Sequence, residues 1–395
     1  MTKYVHKSFF PGSTARTHML HLREGFRRLK TTTWYWLALS LGFAALVMVF
    51  DFAFLGLYQD KNDTEGYVDT ILHFDGRTPA MSGERLTLYH IRLLKPLYGI
   101  ICSIFVPLLT PYNALLLLNM AFYFGTIVLL FFLLKRIFKF RLGLATLGTI
   151  WFACSYPLLK YGFALMTDMS GYFFIVLVVT LGFKALESKK LLWFLLCGLC
   201  AGIGSLAKET SALGLLFVVG AVLMHWKDFD WRKAIGICAL VSATFLIVFV
   251  PVQVFIMQYA NFNYLDFWKF AQYDENFRSL KYLIGIQGAS FHVLWIFACY
   301  GLYTWYKEKQ PRVWLALWFV GLPSALWTIY LVRYFYVQYI AVIPFGLLGL
   351  IYLEKTLLAK RGRFARYTLM WAPPVLNVLL FLPVKAGSYW SLLSK

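Results

Sequence analysis

The sequence predicts an all-α polytopic membrane protein of about eleven transmembrane helices, with interfacial helices in its first external loop. Three observations predict it. Apolar residues make up 60% of the 395-residue chain and charged residues only 14%, too little charge to cover a soluble domain of this size. The 25 Tyr and 14 Trp suit aromatic belts at two membrane–water interfaces. Apolar runs of spanning length, roughly 17–25 residues each, recur along the chain.

Residues 1–33 are basic and poorly apolar, and read as a cytoplasmic tail in front of a signal anchor rather than as a cleavable signal peptide. Within the tail, 16–30 has the composition of a short basic amphipathic helix for an anionic leaflet, although ordinary flanking charge explains it equally well. Spanning runs lie near 34–54, 113–134, 142–159, 169–186, 191–207, 211–226, 234–257, 289–306, 313–331, 335–353 and 367–383. Together they make a transmembrane domain over 34–383, leaving 384–395 as a short external tail.

Residues 94–109 are ambiguous, because the run begins Lys95-Pro96 and ends at Pro107. Charge decides. If this run does not cross, the side of the N-terminal tail holds 25 of the 38 Lys and Arg residues; if it crosses, that side holds only 15. The positive-inside bias favours the first arrangement. It places the N-terminus in the cytoplasm, 94–109 along the outer surface, and the loop 55–112 outside.

That loop concentrates the acidic groups. Asp60, Asp63, Glu65, Asp69, Asp75 and Glu84 are six of 18 carboxylates in a chain of net charge +20, and Arg77, Arg85, Arg92 and Lys95 lie among them. The same topology puts Asp168, the pair Lys208-Glu209, Arg333 and a second loop with Asp266, Asp274, Glu275, Arg278 and Lys281 on the same aqueous face. Cations there suit phosphate recognition, and a carboxylate beside them suits removal of a hydroxyl proton. Solvated loop charge is the competing explanation for any single residue.

The six cysteines fall in apolar runs, and Cys197 and Cys200 form a CxxC with no loop around it, so packing is the expectation. His73, Asp75, Glu84 and His90 match no zinc spacing. No Gly-rich phosphate loop stands out, and neither a nucleotide-sugar donor nor a nucleic-acid partner is expected.

Five stretches resemble a known family. Asp63-Thr64-Glu65-Gly66-Tyr67 is similar to the Asp-Glu-x-x-Tyr region of polyprenyl-phosphate-dependent GT-C glycosyltransferases, and Leu94-Lys95-Pro96-Leu97-Tyr98 to their Lys-Pro-Pro-Leu-Tyr stretch. Leu165-Met166-Thr167-Asp168 resembles their second acidic motif, Leu206-Ala207-Lys208-Glu209-Thr210 their Leu-Thr-Lys segment, and Arg333-Tyr334 through Pro344 their late Arg-Tyr element. Protein O-mannosyltransferases and lipid A aminoarabinose transferases are the nearest in pattern. The stretches run in the family's order. Departures are Thr64 in place of Glu, the absence of one of the paired prolines, and Leu94 in place of Glu before the lysine.

The resemblance implies an inverting hexosyl- or pentosyltransferase with a polyprenyl-phosphate sugar donor. The acceptor hydroxyl would sit on a lipid, glycan or protein, and the active site would face away from the cytoplasm of a bacterial inner membrane. It implies Asp63 as the base, with Asp60 and Glu65 as alternatives, and Asp168 as its support. Lys95, with Arg92 beside it, would hold the donor phosphate; Lys208 and Arg333 are further phosphate candidates, and Glu65 and Tyr67 would contact substrate. No obligatory metal is expected, with a divalent cation as the alternative. A lipid or solute transporter or flippase is the competing class, disfavoured by mid-span positions almost free of charge.

Overall fold

A computed structural model describes residues 30–55, 61–77, 81–162, 165–225, 229–271, 280–326, 335–356 and 363–393. Every regular element among them is helical. Five helices are long and apolar enough to cross a bilayer: Thr32–Ala53, Pro111–Ile137, Asp168–Ser188, Trp231–Ala260 and Tyr336–Thr356. A 21-residue helix rises about 31 Å, the thickness of a hydrocarbon core. Five shorter apolar helices accompany them: Pro96–Phe105, Leu142–Ala153, Leu191–Ser205, Glu209–Met224 and Arg312–Pro323. The chain is an all-α polytopic membrane protein.

In chain order the elements used below are α1 (Lys30–Phe50), α2 (Lys61–Phe74), α3 (Gly83–Leu93), α4 (Pro96–Phe105), α5 (Pro111–Phe132), α6 (Leu142–Ala153), α7 (Tyr156–Tyr161), α8 (Asp168–Ser188), α9 (Leu191–Ser205) and α10 (Leu213–Met224). There follow α11 (Trp231–Ala260), α12 (Tyr264–Ala271), α13 (Leu280–Phe291), α14 (Val293–Lys307), α15 (Ala316–Leu326), α16 (Tyr339–Thr356) and α17 (Arg363–Leu393).

Burial sorts these helices into centre and rim. The Tyr336–Thr356 helix is 89% buried in the protein, whereas the more apolar Trp231–Ala260 helix is only 11% buried. The second presents Leu246, Ile247 and Phe255 outward. Water would penalise such a surface at ~25 cal/mol per Å²; lipid does not. At the centre, α14 and α16 meet backbone to backbone. A side chain at Gly301 would collide with the Phe345 carbonyl, and one at Gly349 with the Phe297 carbonyl, the small-residue contact by which membrane helices pack without a hydrophobic drive. Cys197 is likewise fully buried on α9 and carries no disulfide.

The structure departs from the predicted spans in three places. The run 142–159 is two helices, α6 and α7, because Pro157 sits in the first turn of α7, where its missing N–H costs nothing. The run 289–306 is interrupted at His292, whose φ of 32° separates α13 from α14. Hydropathy is blind to both breaks, since isolated polar residues such as Ser155 and His292 leave each run apolar on average. The predicted boundary at 383 falls inside α17, which continues to Leu393, so the segment expected as an external tail begins within a helix.

The first loop folds as α2, α3 and α4. The last is about 15 Å long, too short to cross. It buries Tyr98, Gly99 and Cys102 and exposes Ile100 and Ile104. Residues 1–29, Asp60, Asp274, Glu275, Arg278 and Arg333 lie outside the described residues, as do the side chains of Asp63 and Lys281.

Candidate active site

Three segments distant in sequence meet at one place. Pro96 at the start of α4 cannot extend α3, and the residue before a proline avoids helical geometry; Lys95 accordingly turns with φ −122° and ψ 62°. The Leu97 amide then donates to the Leu206 carbonyl at 3.0 Å. That single bond fixes the start of α4 against the turn after α9, where Lys208 is extended and Glu209 opens a short 3₁₀ turn, Glu209–Ala212. Asp168 is the first residue of α8, where a carboxylate is favoured by the helix dipole.

The result is a line of alternating charges. Lys95 Nζ lies 2.6 Å from Glu209 Oε2, Lys208 Nζ lies 3.9 Å from Glu209 Oε1, and Lys208 Nζ lies 3.1 Å from Asp168 Oδ1. Lys95 is only 2% exposed, Lys208 and Asp168 4%, and Glu209 13%. Ions this deeply buried persist only when paired, and two cations here face two anions. Beyond its ion pair, neither oxygen of Asp168 has a hydrogen-bond partner among the described residues. The carboxylate also borders a cavity of about 10 Å³, room for one water molecule, beside Phe152, Tyr172 and Tyr336.

Around this line the backbone is held tightly. Gly171, one turn into α8, has no room for a side chain against Thr210, the Tyr336 hydroxyl and the Lys208 stem. Thr210 and Tyr336 share a hydrogen bond of 3.1 Å. Asn119 donates to the Met166 carbonyl at 2.7 Å and accepts from Tyr98 at 2.7 Å. The hydroxyls of Tyr67 and Thr167 are 2.6 Å apart, and Thr64 donates to the Leu165 carbonyl at 3.3 Å. The Leu165-Met166-Thr167 segment ahead of Asp168 is thereby anchored to α2 and α5.

Burial and neighbouring charge both bear on Lys95 and Glu209. Burial first, then the Lys208 and Arg92 charges, lower Lys95 to about 8 against the pull of Glu209. Burial alone would raise Glu209; the Lys95 and Lys208 charges outweigh it and hold the carboxyl at about 2.

The structure thus brings together Lys95, Lys208 and Asp168 of the predicted residues. Arg92, in the last turn of α3, stacks its guanidinium 4.9 Å over the Tyr67 ring, a cation–π contact that ties the α2 and α3 candidates to each other. Asp63 is the third residue of α2, about one helical turn before Tyr67 in sequence. Glu65 is partly buried on α2. Glu209, which lies in a motif stretch but draws no role from it, is the partner that joins the two lysines. Also unforeseen is Asp69, wholly buried, which receives two bonds of 2.7 and 2.8 Å from Arg85 and locks α3 to α2. From the second loop, Phe267 places its ring 5.3 Å from Lys95 Nζ, while Asp266 instead accepts from the Asn263 amide. Among the described residues no three His, Cys, Asp or Glu side chains gather as metal ligands. His73 lies among Phe74, Tyr89 and Tyr259, and Asp75 pairs with Arg77.

Residues 96–255 match the family model of dolichyl-phosphate-mannose-protein mannosyltransferases. The match supports a GT-C glycosyltransferase. It begins one residue after Lys95 and spans Asp168, Lys208 and Glu209. No curated protein matches the chain. With the apolar helices, the GT-C match supports a multi-pass membrane glycosyltransferase.

Proposed function

We propose that the protein transfers a hexose or pentose from a polyprenyl-phosphate donor to an acceptor hydroxyl on the extracytoplasmic face of a bacterial cytoplasmic membrane, inverting the anomeric carbon. The observation that carries this reading is the buried Lys95–Glu209–Lys208–Asp168 line, set beside the family match. A lipid phosphate arriving at the interface carries the charge that such cations suit.

In this reading Asp63 takes the proton of the acceptor hydroxyl, with Asp60 and Glu65 as the alternative bases. The acceptor oxygen bonds to the anomeric carbon as the bond from that carbon to the phosphate oxygen breaks, and the polyprenyl phosphate leaves with the electron pair. Asp168, fixed by Lys208 at 3.1 Å, orients the sugar or acceptor. Lys95, with Arg92 and Arg333, meets the phosphate, and Lys208 supports the same pocket. Fixed cations in a partly dry site stabilise a developing charge most strongly. Glu65 and Tyr67 line the acceptor side. Phosphate neutralisation is assigned to these side chains with no obligatory metal, and a divalent cation is the alternative. The acceptor is a lipid, glycan or protein.

Membranes containing the chain, supplied with a panel of radiolabelled polyprenyl-phosphate sugars, should pass label to an acceptor. Accumulation of intact donor on the far side of the bilayer, with no transfer, would instead favour a flippase. Thiols introduced near Asp75 should label from outside and thiols near Lys139 should not; the reverse would move the site to the cytoplasm.

A further inference from the structure

Glu209 has no task in the reaction as just described, yet it makes the shortest ion pair at the site. Its geometry is uneven. One oxygen sits 2.6 Å from Lys95 and the other 3.9 Å from Lys208, whose close partner is Asp168 at 3.1 Å. Among the described residues the nearest carboxylate to Lys208 is Asp168 and the nearest to Lys95 is Glu209. Of the four charged groups Glu209 is also the most exposed, at 13% against 2–4%, and it opens the 3₁₀ turn that leads into α10.

We infer that Glu209 is a built-in counter-anion for Lys95, which the phosphate of a lipid-linked donor displaces. The inference rests on the glycosyltransferase reading above. A buried ammonium needs an anion beside it to keep its proton, and Glu209 supplies one that is strong enough to hold Lys95 and loose enough to be exchanged. A phosphate oxygen that takes Lys95 leaves Glu209 with Lys208. When the anomeric bond breaks, the leaving phosphate gains a negative charge, and it meets a Lys95 already freed from its internal partner. After departure of the product, Glu209 returns. Glu209 is thus a positioning residue that sets the protonation of Lys95 and the grip on phosphate.

Among the described residues the groups facing this pair are Arg92 from α3, Lys208 and Asp168 around the turn, the Tyr264 hydroxyl from α12 and the Tyr336 hydroxyl just ahead of α16. Among them Glu209 is the carboxylate that opposes the burial-driven fall of Lys95 to about 8. Removing its charge should therefore do two opposite things. At pH 6.5 phosphate loses its competitor and itself becomes the anion that keeps Lys95 protonated. At pH 8 and above, Lys95 loses its proton more readily, and phosphate binding weakens.

The test is direct binding of polyprenyl phosphate, carrying no sugar, to purified full-length protein across pH 6–9.5, beside donor KM and kcat. In Glu209→Gln, binding at pH 6.5 should tighten about five- to tenfold, kcat should fall as product is retained, and the alkaline limb should move to lower pH. Weaker or unchanged binding at pH 6.5 with an unmoved limb, in protein that folds normally, overturns the inference while leaving the glycosyltransferase reading intact. Should Glu209→Gln fail to accumulate, Glu209→Asp carries the test: the charge stays but its reach shortens, so binding should tighten about two- to threefold with the limb in place. Looser binding there also overturns the inference. A wild-type protein that binds no polyprenyl phosphate overturns the reading and the inference together.

Discussion

Replacing Lys95 by Ala removes a cation that is 2% exposed and 2.6 Å from Glu209. Two losses follow, and they can be separated. The first is structural: breaking a buried ion pair from one side typically costs ~3–5 kcal/mol. Here the low end applies, about 3 kcal/mol, because Glu209 keeps Lys208 at 3.9 Å and is partly exposed. The second is functional: one charge-assisted bond to phosphate contributes ~1.5–3 kcal/mol, or roughly tenfold to 150-fold in donor use. The double variant Lys95→Ala with Glu209→Gln removes the orphaned carboxylate as well. It should recover much of the thermal stability in detergent and none of the donor affinity. Donor titration with purified protein reads one loss and a thermal melt the other. Unchanged donor KM and turnover in stable Lys95→Ala would refute the phosphate role, and equal melts for single and double variants would refute the pairing energetics.

Three further outcomes are expected. Asp63→Asn keeps size and hydrogen bonding but cannot take a proton, so turnover should fall ~10²-fold or more with donor binding intact; milder effects are expected for Asp60→Asn and Glu65→Gln, and a reversed order would pass the role of base to Glu65. The pH profile of kcat/KM should fall on the alkaline side near 8, because Lys95 is an ammonium only below about that value; the free-enzyme profile reports this group, and a profile flat to pH 9.5 would contradict it. Gly171→Ala alters no charge but pushes on Thr210, Tyr336 and the Lys208 stem, so it should lower stability by ~1–3 kcal/mol and reduce turnover, read by melt and by initial rate; a neutral Gly171→Ala would show that the Lys208 turn is looser than its packing.

Much of this architecture is legible in the residues. Runs such as 234–257 are apolar all round, and hydropathy alone suffices to place their helices. The short helix after Pro96 follows from that proline together with the charge count. Helix breaks are another matter: His292 takes a φ of 32° within a run that hydropathy treats as continuous. At the site, Lys95, Asp168 and Lys208 can be picked out by motif order. Their assembly cannot, since it depends on the Leu97–Leu206 backbone bond and on Gly171 letting the Lys208 turn approach. Glu209 is hidden for the same reason. Beside Lys208 in sequence it resembles an ordinary loop charge, and its close partner lies in a segment before four intervening predicted spans. Asp69 is hidden differently: one carboxylate among six in a loop gives no sign that it is wholly buried beneath Arg85.

The central claim is group transfer from a lipid phosphate, and a doubly labelled donor tests it most directly. Purified protein in proteoliposomes would receive a polyprenyl-phosphate sugar carrying one isotope in the sugar and another in the phosphate, together with membrane extract as acceptor source. The labels should part, with sugar passing to the acceptor and phosphate staying with the polyprenol in equal amounts, and Asp168→Asn should slow both equally. If the two labels stay together, whether unmoved or carried across the bilayer, the protein is no glycosyltransferase of this kind.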